Sequence, residues 1–288
     1  MSKILLAVLF FIVTFISKAQ IEDLRTEKTF SSSRIINGHS NEILDKGTLE
    51  FRVEHKFGDF AGSNGGLQNF FGIDNASDIR IAFEYGLTDR IMLGMGRIKG
   101  FGPYRGLLDG FLKGQLLRQT TDNSMPISLA AVASATFSYA PASQDVSLVN
   151  HYPEFSHRLA YAAQLIVSRK FENIGSLAFL PTYTHRNYVR YDDQNGLFSL
   201  GVGVRIPFLD KFALVSEYYY NFDQSGIRDD YKNSLALAFE WMTFGHTFSV
   251  YAANAGGFGE QQFIPYTTGD WSKGQFRLGF AITRKFEL

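Results

Sequence analysis

The chain has 288 residues, with 28 Lys+Arg balancing 28 Asp+Glu, no Cys, 45% hydrophobic and 15% aromatic residues. Such aromatic content excludes a disordered chain, and the missing cysteines exclude disulfides, thiolate zinc sites and cysteine nucleophiles. A formal charge of zero gives no electrostatic footprint for nucleic acid, and beyond the first 20 positions no apolar stretch of roughly 20 residues supports a polytopic helical membrane protein.

Met1-Ser2-Lys3 is a short basic start, and Ile4 to Ile16 is an apolar run broken only by Thr14. The run is short for a bilayer span, and Ser17-Lys18-Ala19 puts small residues where a signal peptidase reads them. Residues 1–19 are therefore expected to be a signal peptide, cleaved after Ala19, that exports the chain by a bacterial-type route. Residues 20–47 are polar, contain Asn37-Gly38 and lack alternation. This N-terminal segment is an arm or plug: a periplasmic arm, an interior plug and an extra strand all fit it.

From residue 48 to residue 288 alternation takes over. Between Asp78 and Leu87, residues Ile79, Ile81, Phe83, Tyr85 and Leu87 fall on one face and Asp78, Arg80, Ala82, Glu84 and Gly86 on the other. A strand with that spacing has one apolar wall and one polar wall. Comparable segments at 48–57, 91–98, 107–117, 127–138, 155–168, 177–187, 197–206, 212–221, 234–241, 246–253 and 275–286 bring the number of predicted strands to twelve. Most have the length of a tilted membrane-crossing strand, about 9 to 11 residues. Tight links such as Thr88-Asp89-Arg90 and Glu172-Asn173-Ile174-Gly175 alternate with long Gly-, Asn- and Asp-rich stretches at 58–76, 99–106, 139–154, 188–196, 222–233 and 254–274. The expected fold is all-β: a closed antiparallel transmembrane β-barrel of about 12 strands, with short periplasmic turns and longer extracellular loops. An even strand count puts both ends of the barrel on the periplasmic side. A soluble sandwich would alternate in the same way, but strands of this length with aromatic ends, behind an export signal, favour the cell outer membrane. Outer-membrane lipid is then the partner of the apolar wall.

The charges of the strands sort to the polar wall: Glu50, Arg52, Glu54, Lys56, Asp78, Arg80, Glu84, Asp109, Lys113, Arg158, Arg186, Arg205, Glu217, Glu240 and Arg277. The opposite wall, read through residues such as Leu49, Phe51, Leu112, Leu165, Phe239 and Val250, carries none at membrane depth. Near-equal opposite charges in a narrow lumen imply ion pairs that partly fill it, since unpaired charges away from water are costly. Twelve strands lie between barrels that side chains fill and those that leave an aqueous channel, so the expectation is a plugged or narrow pore. Arg80, Glu84, Lys113, Arg158, Arg186, Glu217 and Glu240 are the expected lumen-lining site. Pro181 removes a ladder donor from the seventh strand, which predicts a bulge or shortened pairing there.

Several stretches resemble a family of outer-membrane β-barrel proteins of the Bacteroidota classed as a domain of unknown function. They are Ser33-Arg34-Ile35-Ile36-Asn37-Gly38-His39-Ser40, Phe83-Glu84-Tyr85-Gly86-Leu87-Thr88-Asp89-Arg90, Leu116-Leu117-Arg118-Gln119, Pro181-Thr182-Tyr183-Thr184-His185-Arg186-Asn187, Tyr231-Lys232-Asn233-Ser234 and Thr267-Thr268-Gly269-Asp270-Trp271. The resemblance implies the fold and the location and brings no activity. Many such barrels finish on an aromatic residue read by the barrel assembly machinery, an expected partner; here Phe286 is followed by Glu287-Leu288, which shifts that signal by two positions.

Chemistry finds little support. His151 and His157 do not have a metal-ligand spacing, and the six histidines read as interfacial or loop residues. Glu84 and Glu217 read as ion-pair partners rather than a general acid and base, and Ser156-His157 and Ser216 lack a specified triad geometry. Gly94-Met95-Gly96 and Gly201-Val202-Gly203 do not join a strand to a helix, so they are not nucleotide loops. The reading is a non-enzymatic barrel without cofactor or metal, acting as a narrow pore or transport component for a small solute. The alternative is a structural or docking barrel whose long loops hold a protein partner without conduction.

Overall fold

The computed structural model describes residues 26, 28–223 and 228–288. The signal expected over 1–19 lies outside them, as does most of the stretch from 20 to 27. Twelve strands follow one another: β1 (Thr48–Phe57), β2 (Ala76–Thr88), β3 (Ile91–Ile98), β4 (Leu107–Leu117), β5 (Ser128–Ser138), β6 (Leu159–Phe171), β7 (Gly175–Arg186), β8 (Gly196–Leu209), β9 (Phe212–Phe222), β10 (Ser234–Thr243), β11 (His246–Ala253) and β12 (Arg277–Glu287). Each pairs antiparallel with its sequence neighbours, and β1 pairs with β12 from Thr48↔Glu287 to Lys56↔Gly279, so the sheet closes into a ring. Closure satisfies every ladder and leaves no strand edge to lipid, which is what hydrocarbon demands of strands.

The sixth strand begins four residues later than its sequence pattern suggests. Phe155–Arg158 forms a 3-10 turn, fixed because the Glu154 and His157 side chains each bond the other's backbone. A local cap therefore outcompetes alternation there. Around Pro181 the β6–β7 ladder omits Leu165 and Ile166 opposite it and Leu180, while the register on both sides is unchanged. The pairing is interrupted without a bulge. True register shifts occur only near strand ends, at Lys56/Phe57, Gly86/Thr88, Gln115/Leu117 and Pro207/Leu209.

Turn chemistry explains the short rim. The Thr88 hydroxyl accepts from Arg90 and Ile91 N–H at 3.2 and 3.0 Å, closing the β2–β3 link. Gly245, at φ 82°, supplies the left-handed conformation that the β10–β11 link requires.

The outer wall is apolar where it should be. Ile81, Phe83, Leu112, Leu165, Phe239 and Val250 are all exposed. Two outward arginines are partnered by aromatic side chains: Arg97, directly across the β2–β3 ladder from Ile81, bonds the Tyr139 hydroxyl at 2.9 Å, and Arg284 lies over the Phe286 ring at 5.1 Å. Phe212, Trp241 and Phe248 stack at the short-turn rim, with Phe212–Trp241 and Trp241–Phe248 centroids 6.3 and 5.3 Å apart. Such rings belong at the membrane–water interface. Ile81→Arg, which sets a charge against lipid near mid-strand, is expected to cost about 2–4 kcal/mol of folding free energy. Equilibrium unfolding of the vesicle-inserted protein in denaturant reads it, and a change near zero would contradict the assignment of faces.

Candidate functional site

The interior is divided, not evenly charged. β1, β2 and β4 send Glu50, Arg52, Glu54, Lys56, Asp78, Arg80, Glu84 and Lys113 inward, all buried. The facing arc of β5 to β8 buries Ala130, Val132, Ala162, Ile166, Ala178, Leu180 and Leu197 with the uncharged Gln164, Thr182, Thr184 and Ser199, and its charges, Arg186 and Arg205, lie towards the strand ends. Along the charged arc Arg80 reaches Glu54 and Asp109, both at 2.7 Å, and Glu84 at 3.9 Å. Arg52 reaches Glu50, Glu54 and Glu84 at 3.1, 3.6 and 3.5 Å. Two guanidiniums thus serve four carboxylates, and their planar forks suit that sharing better than ammonium groups would.

The N-terminal segment fills the space between the two arcs; residues 29–42 are buried. Its centre is a hairpin, in which Arg34 bridges to His39 and Ile35 N–H donates to Gly38 C=O at 2.8 Å. The hairpin tip is captured by Glu217 of β9, whose carboxylate accepts the backbone N–H groups of Ile36, Asn37 and Gly38 at 3.0–3.2 Å and the Asn37 amide at 3.2 Å. Successive N–H groups aimed at one anion form a nest, here occupied by a side chain of the wall. Gly38 is required, because a Cβ there would collide with the Tyr219 hydroxyl. Further wall groups hold the segment: Glu84 accepts from Ser33 at 2.5 Å, Glu240 accepts from Ser31 at 2.6 Å, Arg52 donates to the Ser32 hydroxyl and, at 3.1 Å, to that of Ser33, and the Lys113 ammonium donates to the carbonyls of Ser33, Ser40 and Glu42 at 2.7–3.1 Å.

A second segment closes the lumen from the long-loop side. The β11–β12 connection folds inward, burying Ala255, Phe258 and the short helix α1 (Glu260–Phe263). Lys56 donates to Gly257 C=O at 2.6 Å, and Asp78 accepts from Gly100 and Phe258 N–H at 2.7 and 3.1 Å. Phe263 meets Tyr219 edge-on at 5.1 Å. The two closures touch: Arg34 of the hairpin lies 3.5 Å from Glu260 of α1.

His39, fully buried in the hairpin, packs edge-on against Phe111 at 4.5 Å and lies 3.9 Å from Glu260. Burial, and then Arg34, Lys113, Arg80 and Arg52, hold its imidazole well below the usual histidine range. The released segment binds a proton near pH 6.5 and the docked one does not, so docking weakens as the pH falls below about 6.5 and is unaffected above it. Protease sensitivity of residues 29–42 should rise between pH 7 and pH 5 in the folded barrel. His39→Gln should flatten that dependence; an unchanged slope would remove His39 as its source.

Of the residues expected to line the lumen, Arg80, Glu84, Lys113, Glu217 and Glu240 face the interior together, and four of the five bond the N-terminal segment directly. Arg158 and Arg186 sit elsewhere. Arg158 lies in the 3-10 turn, donating to Ser138 and Ala140 C=O at 3.0 and 2.7 Å, and Arg186 pairs with Asp193 at 3.2 Å beneath the Tyr266 ring. Both tie loops together at the outer rim. Arg34, Asn37 and Glu260 were missed, because alternation carries no information about segments that are not strands; the Asn37-Gly38 turn signal was the available pointer. Among the described residues no group of three His, Asp or Glu side chains has metal-holding geometry.

Two spaces flank the closures. Towards the periplasm a vestibule of about 1110 Å³ opens beneath Phe30 and Ser31. On the outer rim a cleft of about 360 Å³ lies among the long loops, walled by Phe101, Tyr104, Leu148, Tyr231 and Tyr266.

A closed twelve-stranded ring with a lipid-facing apolar band and a lumen filled by its own N-terminal hairpin defines an outer-membrane β-barrel. Residues 30–286 match the family described as membrane bound beta barrel domain, DUF5777, and the chain belongs to that family. No curated protein matches it. Among solved structures it is similar to the NanC porin, at 11% identity and a TM-score of 0.49 over 83% of this chain and 100% of that one. It is also similar to the KdgM porin, at 10% identity and 0.46 over 83% and 99%, and to an outer membrane channel from Pseudomonas putida F1, at 16% and 0.47 over 85% and 98%.

Proposed function

We propose that the protein is a small-solute channel of the outer membrane, closed at rest by its N-terminal hairpin. The observation that carries this reading is the manner of closure. Small barrels fill their lumen with side chains of their own strands. Here the filling is a separate segment, joined covalently to the wall only at β1 and held by hydrogen bonds from Glu84, Lys113, Glu217 and Glu240. Its withdrawal would uncover the charged arc from the periplasmic side and leave the β11–β12 connection, which Arg34 braces through Glu260, as the remaining closure. In this reading those four residues act first as the latch of the plug and only then, with Arg80, as lining for a solute. The reading assigns no reaction to the chain.

Planar-bilayer conductance of the mature protein, of a variant lacking residues 29–42 and of a variant that also lacks residues 257–264 tests it. The intact protein should stay closed or open rarely, and the double-deletion variant should conduct steadily. A double-deletion variant that retains the gel-mobility shift of a folded barrel, yet never conducts, would overturn the channel. That outcome would favour the second reading, a barrel that docks a partner through its loops, for which the outer cleft supplies the surface.

A further inference from the structure

The lipid-facing surface of the barrel does not end where β1 ends. β1 has ten residues, which at about 3.3 Å each and a tilt of about 40° rise about 25 Å, the height of the apolar band. Phe57, its last residue, therefore stands at the outer edge of the hydrocarbon. There it joins an outward aromatic cluster, with His55–Phe57 centroids 4.4 Å and Phe57–Phe280 centroids 6.2 Å apart. Beyond this point the seam with β12 continues into the β1–β2 loop: Phe60 and Ala61 donate N–H groups to Phe276 and Gly274 C=O at 2.7 and 3.1 Å. The rings continue with it, Phe60 on Phe276 at 4.8 Å, Trp271 on Phe276 at 4.6 Å and Phe71 against Phe60 at 5.2 Å. Leu278 joins the two clusters, because alternation puts it on the same face as Phe280 and, one residue ahead of the strand, Phe276.

The loop itself has an apolar tip. From Asn64 to Ile73 it carries no charged residue, and its two acids, Asp59 and Asp74, lie outside that stretch. Leu67, Phe70, Phe71 and Ile73 are all exposed, Leu67 to 78% and Phe70 to 57%. Phe70 and Phe71 are both left-handed, at φ 43° and 54°, a conformation that is costly for a bulky side chain and persists only where its surroundings hold it. The tip meets much of its own backbone demand: Gly65, Gly66, Asn69, Phe71 and Ile73 donate N–H groups to carbonyls of the same loop, and the Asn69 amide donates to Asn64 C=O at 2.7 Å. A segment bonded in this way leaves bulk water without stranding those donors.

We propose that the tip of the β1–β2 loop is a membrane anchor, lying in the outer leaflet at the boundary between headgroups and acyl chains, and that its occupant is lipid. The tip continues a face already turned to lipid, and it starts at the depth where that face ends. Apolar side chains set about 5–10 Å into the boundary are how interfacial segments hold a membrane surface. Irregular backbone is confined to that boundary, since hydrocarbon itself tolerates none. Because the loop is bonded to the chain just ahead of β12, the anchor ties the outer end of the β1–β12 seam to the leaflet. The inference rests on the barrel fold and not on the channel reading.

Fluorescence quenching of the full-length barrel in phosphatidylcholine vesicles tests it. The chain has two Trp, so Trp241→Phe with Trp271→Phe gives a background in which one added indole reports alone. In that background Phe70→Trp should be quenched severalfold more by phosphatidylcholine brominated on its acyl chains than Tyr191→Trp, whose site is fully exposed beside the Arg190–Asp192 ion pair. Acrylamide should show the opposite order. Adding Leu67→Asp to Phe70→Trp should expel the indole and cut its quenching by brominated lipid severalfold. The gel-mobility shift of the folded barrel controls for misfolding. Equal quenching of the two reporters by brominated lipid would overturn the anchor. Shielding of Phe70→Trp from acrylamide and brominated lipid alike would assign the tip to a second copy of the chain and overturn lipid as its occupant. Quenching unchanged by Leu67→Asp would show that packing within the protein sets the depth of the loop, which also overturns the proposal.

Discussion

Replacing Glu217 with Ala is expected to free the N-terminal hairpin while the barrel stays closed. The Glu217 carboxylate accepts from three consecutive backbone N–H groups and one side-chain amide. No other described side chain accepts from those backbone groups. Truncation strands three buried donors, and a hydrogen bond to a charged group is worth about 1.5–3 kcal/mol. Because these bonds share one acceptor they do not add fully, and the expected loss of docking free energy is about 3–5 kcal/mol. Glu217→Gln, which keeps a neutral oxygen in place, should lose about 1–2 kcal/mol. Limited proteolysis of the folded protein reads both: residues 29–42 should be cut rapidly in the Ala variant, slowly in the Gln variant and slowest in the wild type. Equal protection in all three would show that the hairpin is held by other contacts.

The second large effect concerns the barrel wall itself. Arg80→Leu removes the cation that Glu54 and Asp109 share, each at 2.7 Å, and that Glu84 approaches at 3.9 Å. Arg52 remains, already facing Glu50, Glu54 and Glu84. Removing one member of a buried ionic group leaves uncompensated charge, at a cost of about 3–5 kcal/mol. The midpoint temperature at which the compact band converts to the unfolded band on a gel should fall accordingly. Combining Arg80→Leu with Glu54→Leu removes one stranded acid and should recover part of the loss. A double variant no more stable than the single one would place the cost in lost packing, since Arg80 is also among the largest fully buried side chains.

Both predictions concern groups whose orientation could be read before any coordinates. Strict alternation in a strand fixes which wall a residue faces, so the inward course of Arg80, Glu84, Lys113, Glu217 and Glu240 followed from spacing alone. What each of them touches did not follow. Their partners are on non-adjacent strands, as for Arg80 and Asp109, or on the N-terminal segment, whose sequence has no period. Arg158 shows the limit from the other side. Its stretch alternates like a strand, yet the Glu154–His157 cap gives the backbone a local alternative that wins over four residues. The crowding of ionic residues onto one arc of the interior was equally hidden. Counting eight bases against seven acids ignored where around the ring they fall, and the ionic residues crowd on β1, β2 and β4.

The position of the hairpin immediately before β1 has a consequence for biogenesis. Its contacts reach β2, β4, β9 and β10, which lie on both sides of the β1–β12 seam, and β12 is the last of the twelve strands to be translated. A cylinder already sewn shut would admit the hairpin only through its mouth. If the hairpin is instead enclosed while the seam is still open, the stitching of β1 to β12 fastens the stopper and finishes the vessel in a single event.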